Sequence, residues 1–164
     1  CRRVASKITD AQYRVLPVSF RRTKAALLDA FQEQKPRLWI GLGYAPHRTT
    51  LDFEAIALNL EHCNRPDNDD DQPVMRSIIS DAPLAYRTRL NLEESIEKMA
   101  HAGCPGQIST HAGAFLCNQT FFLGCHCVET RGYPGVAAFI HVPPMETYQA
   151  LEDALANLID SLLN

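Results

Sequence analysis

Residues 136–142 read Val-Ala-Ala-Phe-Ile-His-Val, apolar throughout except for one histidine. A strand that alternates polar and apolar residues can lie with one face in water. A strand that is apolar throughout must be covered on both faces. Arg37 to Gly43 makes the same demand, with Leu38, Trp39, Ile40 and Leu42 in succession and glycines at its end. Between such strands the sequence supplies helix-forming stretches. This alternation predicts an α/β fold in which helices layer a largely parallel sheet.

The remaining elements follow from spacing and punctuation. Tyr13 to Val18 reads as a short strand. Thr23 to Gln34 reads as a helix with Leu27, Leu28 and Phe31 on its apolar face. Leu51 to Leu60 is a further strand. Residues 64–73 form a polar excursion whose acidic run, Asp69 to Asp71, is expected to be solvated, because no spaced ligand pattern accompanies it. Asn91 starts a helix, with Glu94 three residues on in a near capping box, Leu92, Ile96 and Met99 on one face, and Gly103 at the C-terminal cap. Gly106 to Ser109 is a short strand and Cys117 to Glu129 a helix. A turn at 131–135 leads into the strand Val136 to Val142. Tyr148, Leu151, Leu155, Leu158 and Leu162 place a last helix at helical spacing.

The 164 residues, 46% hydrophobic and 21% charged, suit one soluble domain over 1–164 with a real core. Net charge is −3 and no basic patch exists, which argues against nucleic acid as a partner. No apolar run reaches membrane-spanning length, and no signal peptide is visible. The chain opens at Cys1 ahead of no obvious first strand, so it is expected to lack its first strand and loop. Six cysteines, at 1, 63, 104, 117, 125 and 127, form no paired ligand sets. A chain this rich in core residues needs no disulfide framework. Reduced thiols in a cytoplasmic enzyme are expected.

The chemistry concentrates in two segments. Small residues precede Cys117 and a helix-compatible run follows it, the placement in which a helix N-terminus and a nearby base favour a thiolate. His141, 24 residues on, ends an apolar strand and can stand at the lip of the sheet, where open α/β sheets build their sites. Glu54 interrupts the apolar run Leu51 to Leu58, where a charge is costly unless paired. It is the expected partner of the imidazole. Asp52 is the competing carboxylate and is expected to be more exposed. Cys104, Cys125, His126 and Cys127 invite a metal reading, but adjacent ligands inside one helix diverge and cannot easily close a tetrahedral site. The histidines at 47, 62, 101, 111 and 126 have no partner legible in the sequence, although His47 and His111 lie in candidate site loops.

Several segments resemble, in order, those of the pyroglutamyl peptidase I family. They are Leu16-Pro17-Val18, then Gly43-x-Ala45-x-x-Arg48-x-x-Leu51-x-x-Glu54-x-x-Ala57-x-Asn59, then Pro66-Asp67-Asn68 with Gln72-Pro73. Next come Asp81-x-Pro83-x-Ala85-Tyr86 with Leu90, and Ser109-x-x-Ala112-Gly113-x-Phe115-Leu116-Cys117-Asn118-x-x-Phe121-Phe122. Phe139-Ile140-His141-Val142-Pro143 closes the series. The resemblance implies a three-layer α/β/α sandwich of the phosphorylase/hydrolase kind, often a homotetramer. It implies a cysteine peptidase that needs no cofactor and no metal and removes an N-terminal pyroglutamyl residue from peptides. On that resemblance Cys117 is the nucleophile, His141 the general base and acid, and Glu54 the orienting carboxylate. Phe115, Leu116 and Tyr44 are the expected substrate-binding residues. The family opens with a strand and a Gly-Phe-Glu-Pro-Phe loop that this chain does not show. Tyr44 stands where the family has glutamine, Pro46-His47 where it has two glycines, and Asn64 where an arginine often stands. A binding protein that kept the fold with an altered pocket is the competing expectation.

Overall fold

The computed structural model describes residues 1–130, 135–145 and 148–163. In chain order the elements are α1 (Arg2–Ala5), α2 (Phe20–Gln34), β1 (Leu38–Tyr44), β2 (Leu51–Leu58), β3 (Ala85–Arg87), α3 (Leu92–His101), β4 (Gly106–His111), α4 (Leu116–Thr130), β5 (Val136–Val142) and α5 (Gln149–Leu163). Among the described residues the five strands form one sheet. β5 lies inside it, parallel to β1 over seven residue pairs from Leu38↔Val136 to Tyr44↔Val142. On its other side β5 runs antiparallel to β2. β2 pairs in turn with β4 in parallel and with β3 antiparallel. The sheet is therefore mixed.

Both faces are covered, as the apolar run in β5 required. Ala138, Ile140 and Val142 join Leu51, Phe53, Met99, Leu151, Leu155 and Leu158 in one core beneath α1, α3 and α5. Ala137 and Phe139 face the other way and join Leu27, Phe31, Phe121, Phe122 and Leu123 beneath α2 and α4. Each large apolar side chain buried this way contributes about 1.5–3 kcal/mol. Helix α4 approaches β1 closely through Gly124, where a Cβ would stand 2.8 Å from the Trp39 ring.

Helix limits follow local chemistry. Ser19 caps α2, its hydroxyl accepting the Arg22 N–H at 3.1 Å, so this helix starts three residues ahead of the expected Thr23. The Asn91 carboxamide accepts the Glu94 N–H and donates from its own NH2 to the Glu94 carboxylate, a side-chain variant of the expected near capping box. Gly103, at φ 77°, takes the left-handed turn after α3.

Two expectations fail or need amending, and one short strand was not expected. Tyr13 to Val18 is no strand. It runs along the surface with Val15 84% exposed, and Pro17 has no N–H to offer a ladder. The acidic loop is docked rather than merely solvated. The buried Asp67 carboxylate accepts the N–H groups of Phe20, Asp69 and Asp71. Asp69 in turn pairs with Ser19 and Arg22 at the start of α2. β3 is only three residues long, too short to carry a sequence pattern. The expected turn at 131–135 falls at residues 131–134 outside the described residues.

Candidate active site

The β2–β5 pairing positions the site. Asp52 is the cross-strand partner of His141, and Glu54 lies two residues further along the same strand. From there the fully buried Glu54 carboxylate reaches diagonally to the imidazole. His141 Nδ1–H donates to Glu54 Oε1 at 2.6 Å. That bond fixes the ring and leaves its other nitrogen free for the Cys117 thiol, which lies close enough to influence the charge of the imidazole. Gly43 of β1 stands opposite His141, where a Cβ would come within 3.0 Å of the ring.

Cys117 is the second residue of α4 and half-buried. The next residue holds it in place. Asn118 accepts the Leu58 N–H and donates to the carbonyls of Leu58 and Leu60, each at 2.9 Å. The start of α4 is thereby pinned to the end of β2. Gln119 adds a bond of 2.6 Å to Glu61 and one of 3.0 Å to the Phe20 carbonyl. These buried amides replace the peptide-group partners that both chain ends would otherwise lack.

Burial alone would oppose a charge on His141. The hydrogen bonds and charges of Cys117 and Glu54 outweigh that cost and raise its pKa from 6.5 to about 9. The same helix holds Cys125, buried, whose thiol is pushed up to about 12 by burial and the charge of Glu129, against a smaller opposing effect of Arg89. Burial also raises Cys104.

The structure thus brings Cys117, His141 and Glu54 together. The other expected site residues are placed differently. Tyr44 ends β1 with 64% of its surface exposed. Phe115 packs edge-on against Phe20 at 5.2 Å. Leu116 is buried, and its carbonyl accepts the Thr120 hydroxyl. Asp52 corrects an expectation, because it is fully buried rather than the more exposed carboxylate. Arg48 donates to one of its oxygens and Gln107 to the other. Arg48 also stands 4.0 Å from Glu54 Oε1. The sequence did carry a signal for this arrangement, since two carboxylates in one apolar strand need a cation and Arg48 lies four residues before Asp52. Among the described residues no group of three or more His, Cys, Asp or Glu side chains is arranged to hold a metal ion. His126 instead pairs with the Tyr86 hydroxyl at 2.9 Å.

A thiol, an imidazole and a buried carboxylate linked in series at the edge of an α/β sheet are the parts from which nucleophilic hydrolases are built. The family model described as "Pyroglutamyl peptidase" matches residues 3–158, and the chain belongs to that family. The pyrrolidone-carboxylate peptidase of Pyrococcus furiosus is 40% identical over 139 residues, 84% of this chain and 67% of that protein. The pyrrolidone-carboxylate peptidase of Thermococcus litoralis is 42% identical over 130 residues, 79% of this chain and 59% of that protein. The solved structure of a mutant of the Pyrococcus furiosus pyrrolidone carboxyl peptidase superposes with a TM-score of 0.90 at 33% identity, over 98% of this chain and 88% of that one. The chain spans from 59% to 67% of the length of these two curated relatives. The α/β fold expected for this chain, a sheet flanked by helices, is shared with that solved structure, and the sheet is mixed rather than largely parallel.

Proposed function

We propose that the chain carries the catalytic centre of a cysteine peptidase that removes an N-terminal pyroglutamyl residue from peptides. The observation that carries this reading is the series Glu54–His141–Cys117 in a member of the pyroglutamyl peptidase family, with the 2.6 Å bond to Glu54 at one end. The Cys117 thiolate attacks the pyroglutamyl carbonyl carbon. His141 takes the thiol proton and delivers it to the departing amine as the C–N bond breaks, leaving a thioester on Cys117. Water then adds to the thioester, His141 removes its proton, and 5-oxoproline leaves as the thiol is restored. Glu54 holds the imidazole in the required tautomer and supports its positive charge. The N–H groups at the start of α4 steady the oxyanion.

Phe115, Leu116 and Tyr44 are proposed to contribute to substrate binding, and assembly as a homotetramer belongs to the same reading. A cytoplasmic setting is supported by six free thiols. No helix among the described residues is long and apolar enough to cross a membrane. The test is hydrolysis of a pyroglutamyl aminocoumarin reporter by the protein and by its Cys117→Ala variant. Turnover that disappears with the thiol supports the reading. A folded protein that binds pyroglutamyl peptides without turning them over assigns the chain to the binding-protein alternative.

A further inference from the structure

The pair His141–Glu54 does not stand alone in its pocket. A second carboxylate, Asp52, is fully buried on the same strand and lies directly across from His141 in the sheet. Two buried carboxylates this close to one imidazole would resist sharing a negative charge. The one cation facing them among the described residues is Arg48, half-buried in the turn between β1 and β2. It donates to Asp52 Oδ2 and reaches within 4.0 Å of Glu54. Gln107 on β4 fixes the other oxygen of Asp52 at 2.8 Å. The groups that face His141 are then Asp52 and Glu54 from β2, Cys117 from α4 and Arg48 from the turn. β1 contributes only glycine there.

We propose that Arg48 is a positioning residue that neutralises Asp52, so that the thiol–imidazole pair sits beside one net negative charge rather than two. The inference rests on the reading of Cys117 and His141 as the reacting pair. Its consequence is a direction. An added negative charge favours the imidazolium and disfavours the thiolate. The thiolate then forms at higher pH and the reactive window moves upward.

The test measures the pH dependence of Cys117 alkylation by iodoacetamide in the wild-type protein and in Arg48→Gln, Arg48→Lys, Asp52→Asn and the Arg48→Gln/Asp52→Asn double variant. The half-maximal pH is expected to rise by about one unit in Arg48→Gln, to fall in Asp52→Asn, and to return close to wild type in the double variant. Arg48→Lys, which keeps the charge, stays close to wild type. On the reporter, kcat/KM of Arg48→Gln at neutral pH falls about tenfold and recovers as the pH is raised. A merely structural role for Arg48 would lower activity at every pH and would not be reversed by Asp52→Asn. Unshifted profiles, shifts of the same sign in both single variants, or a double variant no closer to wild type than Arg48→Gln would each overturn the proposal. If Arg48→Gln does not fold, a downward shift in Asp52→Asn still has to appear. Shifted alkylation profiles in a protein that does not turn over the reporter would instead sink the peptidase reading and leave the charge balance standing.

Discussion

Two thiols on one helix show how far position alone sets reactivity. Cys117 and Cys125 are both on α4, eight residues and about 12 Å apart along its axis. Cys117 stands at the N-terminus, half-buried, with His141 beside it. Cys125 lies inside the core between α4 and the sheet, and its thiol is raised to about 12. Nothing in the side chain differs. The first end of the helix offers unpaired N–H groups and a base, and the middle offers only low-dielectric packing with Glu129 nearby. On the proposed reading, the helix carries a reactive and an inert cysteine at once, and the sheet beneath it decides which is which.

The sharpest way to break that comparison is to label both thiols. Near neutral pH, iodoacetamide should modify Cys117 well ahead of Cys125, because burial pushes the Cys125 thiol up to about 12 and keeps it from the reagent. Peptide mapping of the native protein over a time course reads this directly. Equal rates would mean that α4 opens enough to expose its core face, and the contrast would then lie in dynamics rather than in the folded pocket.

The contrast sharpens again when the carboxylate behind the imidazole is removed in charge only. Glu54→Gln keeps the side chain's shape but withdraws the negative charge that faces His141 at 2.6 Å. Reporter turnover should fall about a hundredfold or more, with KM little changed. Labelling of Cys125 should stay as it was. If turnover is untouched, Asp52 is the carboxylate that matters.

The surroundings of His141, Cys117 first and Glu54 after it, make stability depend on pH. His141 is raised in the folded protein, to about 9 from 6.5. Its contribution to stability is therefore complete below about pH 6.5 and is lost as pH rises through about 9. Thermal unfolding followed from pH 6 to pH 10 should show Tm falling across that interval, and Glu54→Gln should flatten the fall. A wild-type Tm that is constant or rising across that interval would mean the imidazole gains nothing on folding.

Much of this was legible in the sequence, for reasons specific to each element. β1 and β5 announced themselves because strands buried on both faces cannot hide among polar residues. Glu54 was legible because a charge in an apolar strand must be paired. Asp52 carries the same signal, but alternation along a strand does not reveal that an arginine from the preceding turn closes over it. The pairing of β2 with β5, which makes the sheet mixed, was not legible. Strand order is set by how connections cross the sheet, and no local pattern records it. Tyr13 to Val18 has the composition of a strand but is paired with no strand among the described residues, and a strand exists only where a partner supplies the other half of each hydrogen bond.

The smallest effect is expected where the helix is inert. Cys125→Ala removes one sulfur from a fully packed core. Ala keeps the helix propensity high but leaves a void the size of the lost atom. A cost of about 1 kcal/mol follows, the scale of a small large-to-small change in a core. Cys125 lies two helical turns from the site and touches neither His141 nor Glu54, so reporter turnover and Cys117 labelling should match wild type. Urea unfolding would read the stability cost as a lower midpoint at unchanged slope. A fall in turnover larger than the fall in folded fraction would show that the core face of α4 transmits its packing to Cys117. The two ends of the helix would then be coupled, and the division between reactive and inert thiol would be a property of the whole helix rather than of each position.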